Sequence, residues 1–265
     1  MTTAIPASQV KELRERTGAG MMDCKRALVD TGGDIDEAVK LIREKGLAQA
    51  AKKAGRETTE GKVVYDLSRD EVGTMVAIGC ETEPVSNNQE FLVFAQRVLD
   101  AVEKHGPNAA EELEDERAEL VAKLGENIVV RDAARYEAKD GEVLTAYVHP
   151  PAYKLGVLLH ARGDADEAYR LAMHVAAAAP LYATRAEVPA AEIDAEREIL
   201  AKQPDVQEKP EQVREKIVEG RITKWLQDIV LEDQQWIHDT GRRVGDVLAE
   251  SGLEVVEFKR FSVAE

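Results

Sequence analysis

The residues best suited to covalent chemistry in this chain are its two cysteines, Cys24 and Cys80, and its five histidines, His105, His149, His160, His174 and His238. A cysteine nucleophile needs a base or a cationic cluster to hold it as thiolate. Cys24 falls on the apolar stripe of a short helical segment, where a buried structural thiol is the expected role. Cys80 ends a strand, a position open to exposure, but no thiolate-stabilising cluster adjoins it in sequence. No pair of histidines has HExxH or HxH spacing, and His174 on an Ala-rich helix reads as a hydrogen-bonded packing residue. Neither cysteine has a CxxC partner, so a four-cysteine zinc site and a disulfide scaffold are excluded. The chain has no GxxxxGK[ST] and no GxGxxG. The glycines of TGAG (17–20) join two helices and read as a tight interhelical turn. The carboxylates of EELEDERAEL read as a solvated helix face. None of these groups makes an active site, and the expectation is no catalytic residue, no metal and no cofactor. What is left is surface for contact, such as the small, partly apolar segment EPVSN.

The elements that carry these residues alternate between helix and strand. Residues 5–46 predict three short helices. The first follows Pro6, carries Val10 and Leu13 on one face, and stops at Thr17-Gly18. The second runs from about Met21 to Val29, with Met21, Cys24 and Leu28 on one stripe and Gly32-Gly33 after it. The third opens on Asp34 and Glu37, an acidic capping box, and repeats Ile35, Ala38, Val39 and Ile42 before Gly46 closes it. AAKKAGRETTEG (50–61) reads as a polar linker. KVVYDLS and TMVAIGC flank Arg69-Asp70-Glu71-Val72-Gly73 as a hairpin. CETEPVSNN (80–88) follows as a loop. Helices are expected from about Gln89 to Lys104 and from about Ala110 to Leu124. IVVRDAARYEA and VLTAYVH are strands joined at Lys139-Asp140-Gly141.

The second half partly echoes the first, with LGVLLHARG (155–163) as a strand, DEAYRLAMHVAAAAP as a helix and EVVEFKRFSV (254–263) as a last strand. Between them, segments at about 190–202 and 211–228 are rich in charge and poor in bulky apolar residues. They read as an antiparallel helical hairpin that projects from the body. The whole is an α+β pattern. It divides into an N-terminal three-helix module (1–55), a core N-subdomain (56–140) and a core C-subdomain (141–265) carrying the hairpin insertion (189–228).

The chain has 265 residues, 35 Lys+Arg against 51 Asp+Glu, and a formal net charge of −16. That balance excludes a general attraction to nucleic-acid phosphates or anionic lipid. Residues 1–55 are near +2, so the charge asymmetry also marks them as a separate unit. The start MTTAIPASQVKELRERTG lacks the apolar region of a signal peptide, and the most apolar stretch, Leu171 to Ala183, is too short to span a bilayer. A cytoplasmic protein with reduced thiols is expected.

RTGAGMMDCKRAL, then GDIDEAVKLIREKG and AAKKAG, resembles the N-terminal module of the bacterial elongation factor Ts family, which is similar to the ubiquitin-associated three-helix fold. CETEPVSNN resembles the family's C-x-T-D-F-V-A segment. AELVAKLGENI, AMHVAAAAP, IVEGRITKW and VEFKRFSV resemble further family segments, in the family's order. The resemblance covers essentially the whole chain. It implies a guanine-nucleotide exchange factor whose partner is elongation factor Tu, with GDP and Mg²⁺ bound by that partner and not by this chain. It implies that Thr82-Glu83-Pro84-Val85 disturbs the elements supporting the partner's Mg²⁺ site, and that Leu13, Leu124, Gly125 and His149 touch the partner. It implies no enzyme; no direct nucleic acid and no membrane are expected from the charge and the lack of a spanning segment. The family usually has Asp-Phe where Glu83-Pro84 stands. The rival readings are a ubiquitin-associated-like adaptor, for which residues 5–46 alone would suffice, and a cysteine-dependent enzyme.

Overall fold

The computed structural model describes residues 5–69 and 71–264. Asp70 of the expected hairpin turn and the first four residues lie outside the described residues. Helices α1 (Ala7–Thr17), α2 (Met21–Asp30) and α3 (Ile35–Lys53) bury Val10, Leu13, Cys24, Ala27, Leu28 and Ala38 against one another. Asp34 caps α3, its carboxylate accepting the Glu37 N–H at 3.0 Å. Met21 departs from the expected stripe: it is 60% exposed, because the inward face of α2 is Cys24, Ala27 and Leu28.

Gly46 does not close α3; the helix continues to Lys53. A lone glycine costs a helix only about 1 kcal/mol, and the second half of α3 has a surface to pack on. Gly46 faces Ala118 and Ala122, and Ala50 is buried in the body's core. The polar connection is correspondingly shorter than 50–61.

Strands β1 (Glu60–Arg69), β2 (Val72–Cys80) and β3 (Ile128–Glu137) form an antiparallel sheet in the order β1-β2-β3. β2 is the central strand and is buried on both faces, which explains its near-continuous apolar run. Val76, Ile78 and Cys80 face helices, and Met75 and Ala77 face the opposite way. The segment expected as a loop after Cys80 contains a single helical turn, α4 (Glu83–Ser86). It leads into α5 (Gln89–His105), whose Phe91, Phe94, Ala95, Val98, Leu99 and Val102 cover the sheet. The helix expected at 110–124 is split into a 3-10 segment (Pro107–Leu113) and α6 (Glu114–Leu124).

A second antiparallel sheet contains β4 (Glu142–Val148), β5 (Leu155–Arg162) and β6 (Glu254–Ser262), in the order β4-β5-β6. β3 and β4 are consecutive in the chain but belong to different sheets. α7 (Ala165–Ala178) covers the outer face of this sheet with Ala168, Leu171, Ala172 and Val175. The inner faces meet through Val63, Met75, Ala77 and Ala134 on one side and Ala146, Leu158 and Phe261 on the other. The body is thus a mixed α+β stack of helices, two sheets and a further helix layer. α8 (Ala190–Ala201), α9 (Pro204–Gln207) and α10 (Glu211–Ile229) share an apolar seam of Leu200, Val206, Val218, Ile222 and Leu226. That seam is fuller than the charge-rich sequence implied. Arg197 bridges the helices, donating to Glu219 at 2.9 Å and to Asp194 at 2.8 Å. α11 (Val244–Ser251) precedes the last strand.

Candidate functional site

Thr82 takes an extended conformation directly after β2, and its carbonyl accepts the Ser86 N–H at 3.1 Å to start α4. Pro84 sits in the first turn, where no N–H is required. Ser86 Oγ and Asn87 Nδ2 both donate to the Glu83 carbonyl, at 2.8 and 3.1 Å. Asn88 then caps α5 by accepting the Glu90 N–H at 2.8 Å. The turn is therefore rigid, and it presents Thr82, Glu83 and Pro84 to solvent while Val85 packs against the core.

Leu124 and Gly125 end α6. Leu124 is half-buried against the same core, and Gly125 is exposed with φ +80°, a left-handed cap that favours glycine. The next residue ties this turn to α4. Glu126 accepts the N–H groups of Glu81 and Thr82 at 3.1 and 3.0 Å, and the Thr82 hydroxyl at 2.5 Å. In return, the Glu81 carboxylate accepts the Asn127 N–H at 2.6 Å. Arg56 ion-pairs with Glu81, and its carbonyl accepts Asn127 Nδ2 at 2.9 Å. The structure thus brings 82–85 and 124–125 together.

His149 lies just beyond β4, exposed, with its Nδ1 2.7 Å from the Tyr147 hydroxyl. Tyr147 in turn packs edge-on to Tyr169, ring centres 5.9 Å apart. The loop after His149 joins the start of β1: the Tyr153 carbonyl accepts the Val63 N–H at 2.7 Å, and Lys154 ion-pairs with Glu60. Glu60 is the register partner of Cys80, and Cys80 of Ile128. All three segments therefore gather at one end of the paired sheets.

Leu13 does not join them. Its side chain is fully buried within the three-helix module, so the direct contact implied by the family resemblance is closed to it in this conformation. The most exposed of the module's large apolar side chains are Met21, at 60%, and Met22, at 64%, ahead of Val29 and Leu47. They belong to the module that meets the body where Gly18 abuts Lys123, itself 2.6 Å from Glu90. The apolar spacing of α2 puts Met21 inside, and neither Met22 nor Glu126 stands out in the sequence by spacing. The adjacent methionines were a signal, since a helix cannot bury consecutive residues on one narrow stripe. Glu126 offered none, because its partners lie more than forty residues away.

The two thiols are both buried. Burial, reinforced by the Glu126 carboxylate, pushes Cys80 up to about 12, and its Sγ–H donates to the Thr82 carbonyl at 3.3 Å. Exposure at the end of the strand is thereby corrected, and the thiolate is suppressed at neutral pH. His174 is also buried, stacked on Trp236 with ring centres 5.2 Å apart. Its Nδ1 accepts the Ile237 N–H at 3.3 Å, so Nε2 donates to Gln234 Oε1 at 2.9 Å. Among the described residues, no group of His, Cys, Asp and Glu is placed to hold a metal ion, and no helix is long and apolar enough to cross a membrane.

The α4 turn, the turn after α6 and His149 are thus exposed at one end of an α+β body, and both thiols are buried. The family model described as "Elongation factor TS" matches residues 81–265, more than half of the chain. The chain is 42% identical to elongation factor Ts of Thioalkalivibrio sulfidiphilus over 98% of its length and 92% of the relative's. It is 43% identical to elongation factor Ts of Halorhodospira halophila (99% and 93%) and 40% identical to that of Clostridium acetobutylicum (98% and 93%). The chain belongs to the elongation factor Ts family.

Proposed function

We propose that this chain is the guanine-nucleotide exchange factor for elongation factor Tu in protein synthesis. It binds the GDP-bound GTPase, disturbs its Mg²⁺ and phosphate site, and promotes GDP release. GDP and Mg²⁺ belong to the partner. No bond is made or broken, so the chain is not an enzyme. The mechanism is linkage: GDP stabilises one arrangement of the GTPase, the factor stabilises an opened one, and each weakens the other's binding equally. A tenfold loss of GDP affinity needs about 1.4 kcal/mol of differential contact. The observation that carries the reading is full-length membership of the family, 98–99% of the chain in each relative compared. An adaptor would need only the three helices, so that alternative is not favoured.

In this reading the α4 turn is the element pressed against the partner. Glu83 offers a carboxylate, and the rigid, apolar Pro84 fixes the shape of the turn at little entropic cost on binding. Leu124-Gly125 and His149 flank it as further contacts, and Met21 and Met22 supply the module's apolar contact while Leu13 holds the module in shape. The module (1–55) is ubiquitin-associated-like and adds affinity. The core N-subdomain spans 56–140 and the core C-subdomain 141–265. The α8–α10 pair is the projecting hairpin, 189–228, that reaches a second region of the GTPase. The site of action is the cytoplasm, where translation elongates.

The experiment is GDP release from elongation factor Tu with and without the chain across a Mg²⁺ titration. Glu83→Ala should slow release by about tenfold, on the scale of one lost charge-assisted contact, with the largest deficit at high Mg²⁺. Pro84→Phe should preserve or raise the rate. Release unchanged in both Glu83→Ala and Pro84→Gly at every Mg²⁺ concentration would reduce the turn to a connector.

A further inference from the structure

We infer that Glu126 is a positioning residue for nucleotide exchange: its carboxylate fixes the attitude at which α4 meets the partner. This rests on the reading of α4 as the exchange element and adds to it what holds that element in place. The Glu126 carboxylate accepts three hydrogen bonds from two adjacent residues, the N–H of Glu81, the N–H of Thr82 and the Thr82 hydroxyl. Such bonds to a charged acceptor are shorter and stronger than neutral ones. They close on the last residues before Glu83, the point from which the turn would swing.

The grip is reciprocal. Glu81 holds the Asn127 N–H, so each of the two neighbouring chain ends supplies the carboxylate that satisfies the other's backbone. Backbone donors at the end of a sheet need such partners. Arg56 pairs with Glu81, and its carbonyl receives Asn127 Nδ2. The cluster therefore joins α4, the turn after α6 and the connection from the N-terminal helices. Thr82 Oγ does not cap its own helix, although that is the usual role at this position. Its hydroxyl is spent on Glu126 instead, leaving α4 dependent on a residue outside it. Glu83, one residue further on, is exposed and directed to no such task, which suits a group kept for a partner.

Two measurements on the full chain test this. The first is amide hydrogen exchange of the chain alone. Glu126→Ala should speed exchange at Glu81 and Thr82 by about tenfold or more, the scale of a lost charge-assisted bond, while Val76 and Val130 in the strands keep their protection. The second is GDP release from elongation factor Tu at rising factor concentration. Glu126→Ala should lower the maximal rate by about tenfold, with the half-saturating concentration shifted by less than about threefold, as expected when an interaction acts in the transition state alone. Glu126→Gln, which keeps an acceptor and nearly the same shape, should fall between. It carries the test if the alanine variant does not fold. In a Glu83→Ala/Pro84→Gly background, Glu126→Ala should cause no further loss, because it acts through the turn. Unchanged amide exchange, an unchanged maximal rate, or a loss that adds fully in that background would each overturn the proposal. If the Glu83→Ala/Pro84→Gly variant itself exchanges nucleotide normally, the reading of α4 fails, and amide exchange alone then decides whether Glu126 holds Thr82.

Discussion

His174 shows how one buried side chain ties pH to stability. Burial holds its pKa below the usual histidine range, and the neighbouring His238 acts in the same direction against the Gln234 hydrogen bond. The neutral ring is needed because Nδ1 must accept the Ile237 N–H. In the unfolded chain the ring takes up a proton near pH 6.5. Below that pH the unfolded state binds the extra proton and the folded state does not, so stability falls as pH falls. The loss starts near pH 6.5 and stops once the folded-state pKa is passed. We expect urea unfolding to show a loss between pH 7.5 and 5.5 that is smaller in His174→Gln. The substitution itself should cost about 1–3 kcal/mol at pH 7.5, the usual penalty for disturbing a buried hydrogen-bonded group. An equal pH slope in both proteins would remove His174 as its cause. The role of this histidine was legible from the Ala-rich helix around it. The Gln234 partner was not, since it lies sixty residues away in sequence.

The elements differ in how plainly local sequence specifies them. The strands and the long helices declared themselves through periodicity. α4 did not, because four residues are too few to show a period, and its proline argued for extended chain. A glycine is a local stop signal, so the sequence puts the end of α3 at Gly46, whereas Ala118 and Ala122 of α6 supply the tertiary packing that carries the helix through. The same distinction separates two glycines elsewhere. Gly220 lies within α10 with nothing near an added Cβ, so Gly220→Ala should stabilise by about 0.5–1 kcal/mol, roughly 2–4 °C per kcal/mol in melting temperature for a chain of this size. Gly61 has φ +146°, and an added Cβ would lie 2.0 Å from the Ile78 carbonyl oxygen. Gly61→Ala should therefore destabilise by more than Gly220→Ala stabilises. Thermal melts of the two variants check both signs, and a melt for Gly220→Ala below the parent would contradict the open surface assigned to α10.

At the scale of the whole molecule, the continuity of α3 decides how the N-terminal module can be removed. The charge break and the apolar set at 5–46 made the module visible in sequence, but not how it is anchored. The anchor is the second half of α3: Ala50 lies in the body's core, Lys53 donates to the Val121 carbonyl at 3.5 Å, and Arg43 pairs with Asp115 on α6. Excising residues 1–55 would uncover Ala118 and Val121, both buried, and would remove Ala50 from its place beside them. Burial of apolar surface is worth roughly 25 cal/mol per Å², so two exposed turns of helix contact cost the body more than any surface loop would. Excising residues 1–40 removes the module's small core but leaves Gly46 to Lys53 to cover α6. The shorter deletion should therefore melt closer to the parent than the longer one, although both lack the Met21 and Met22 surface. Both should bind elongation factor Tu more weakly than the full chain, and by similar factors. If the two deletions melt at the same temperature, the back half of α3 contributes nothing to the body. If only the longer one loses affinity, the contact surface lies on α3 and not on α2.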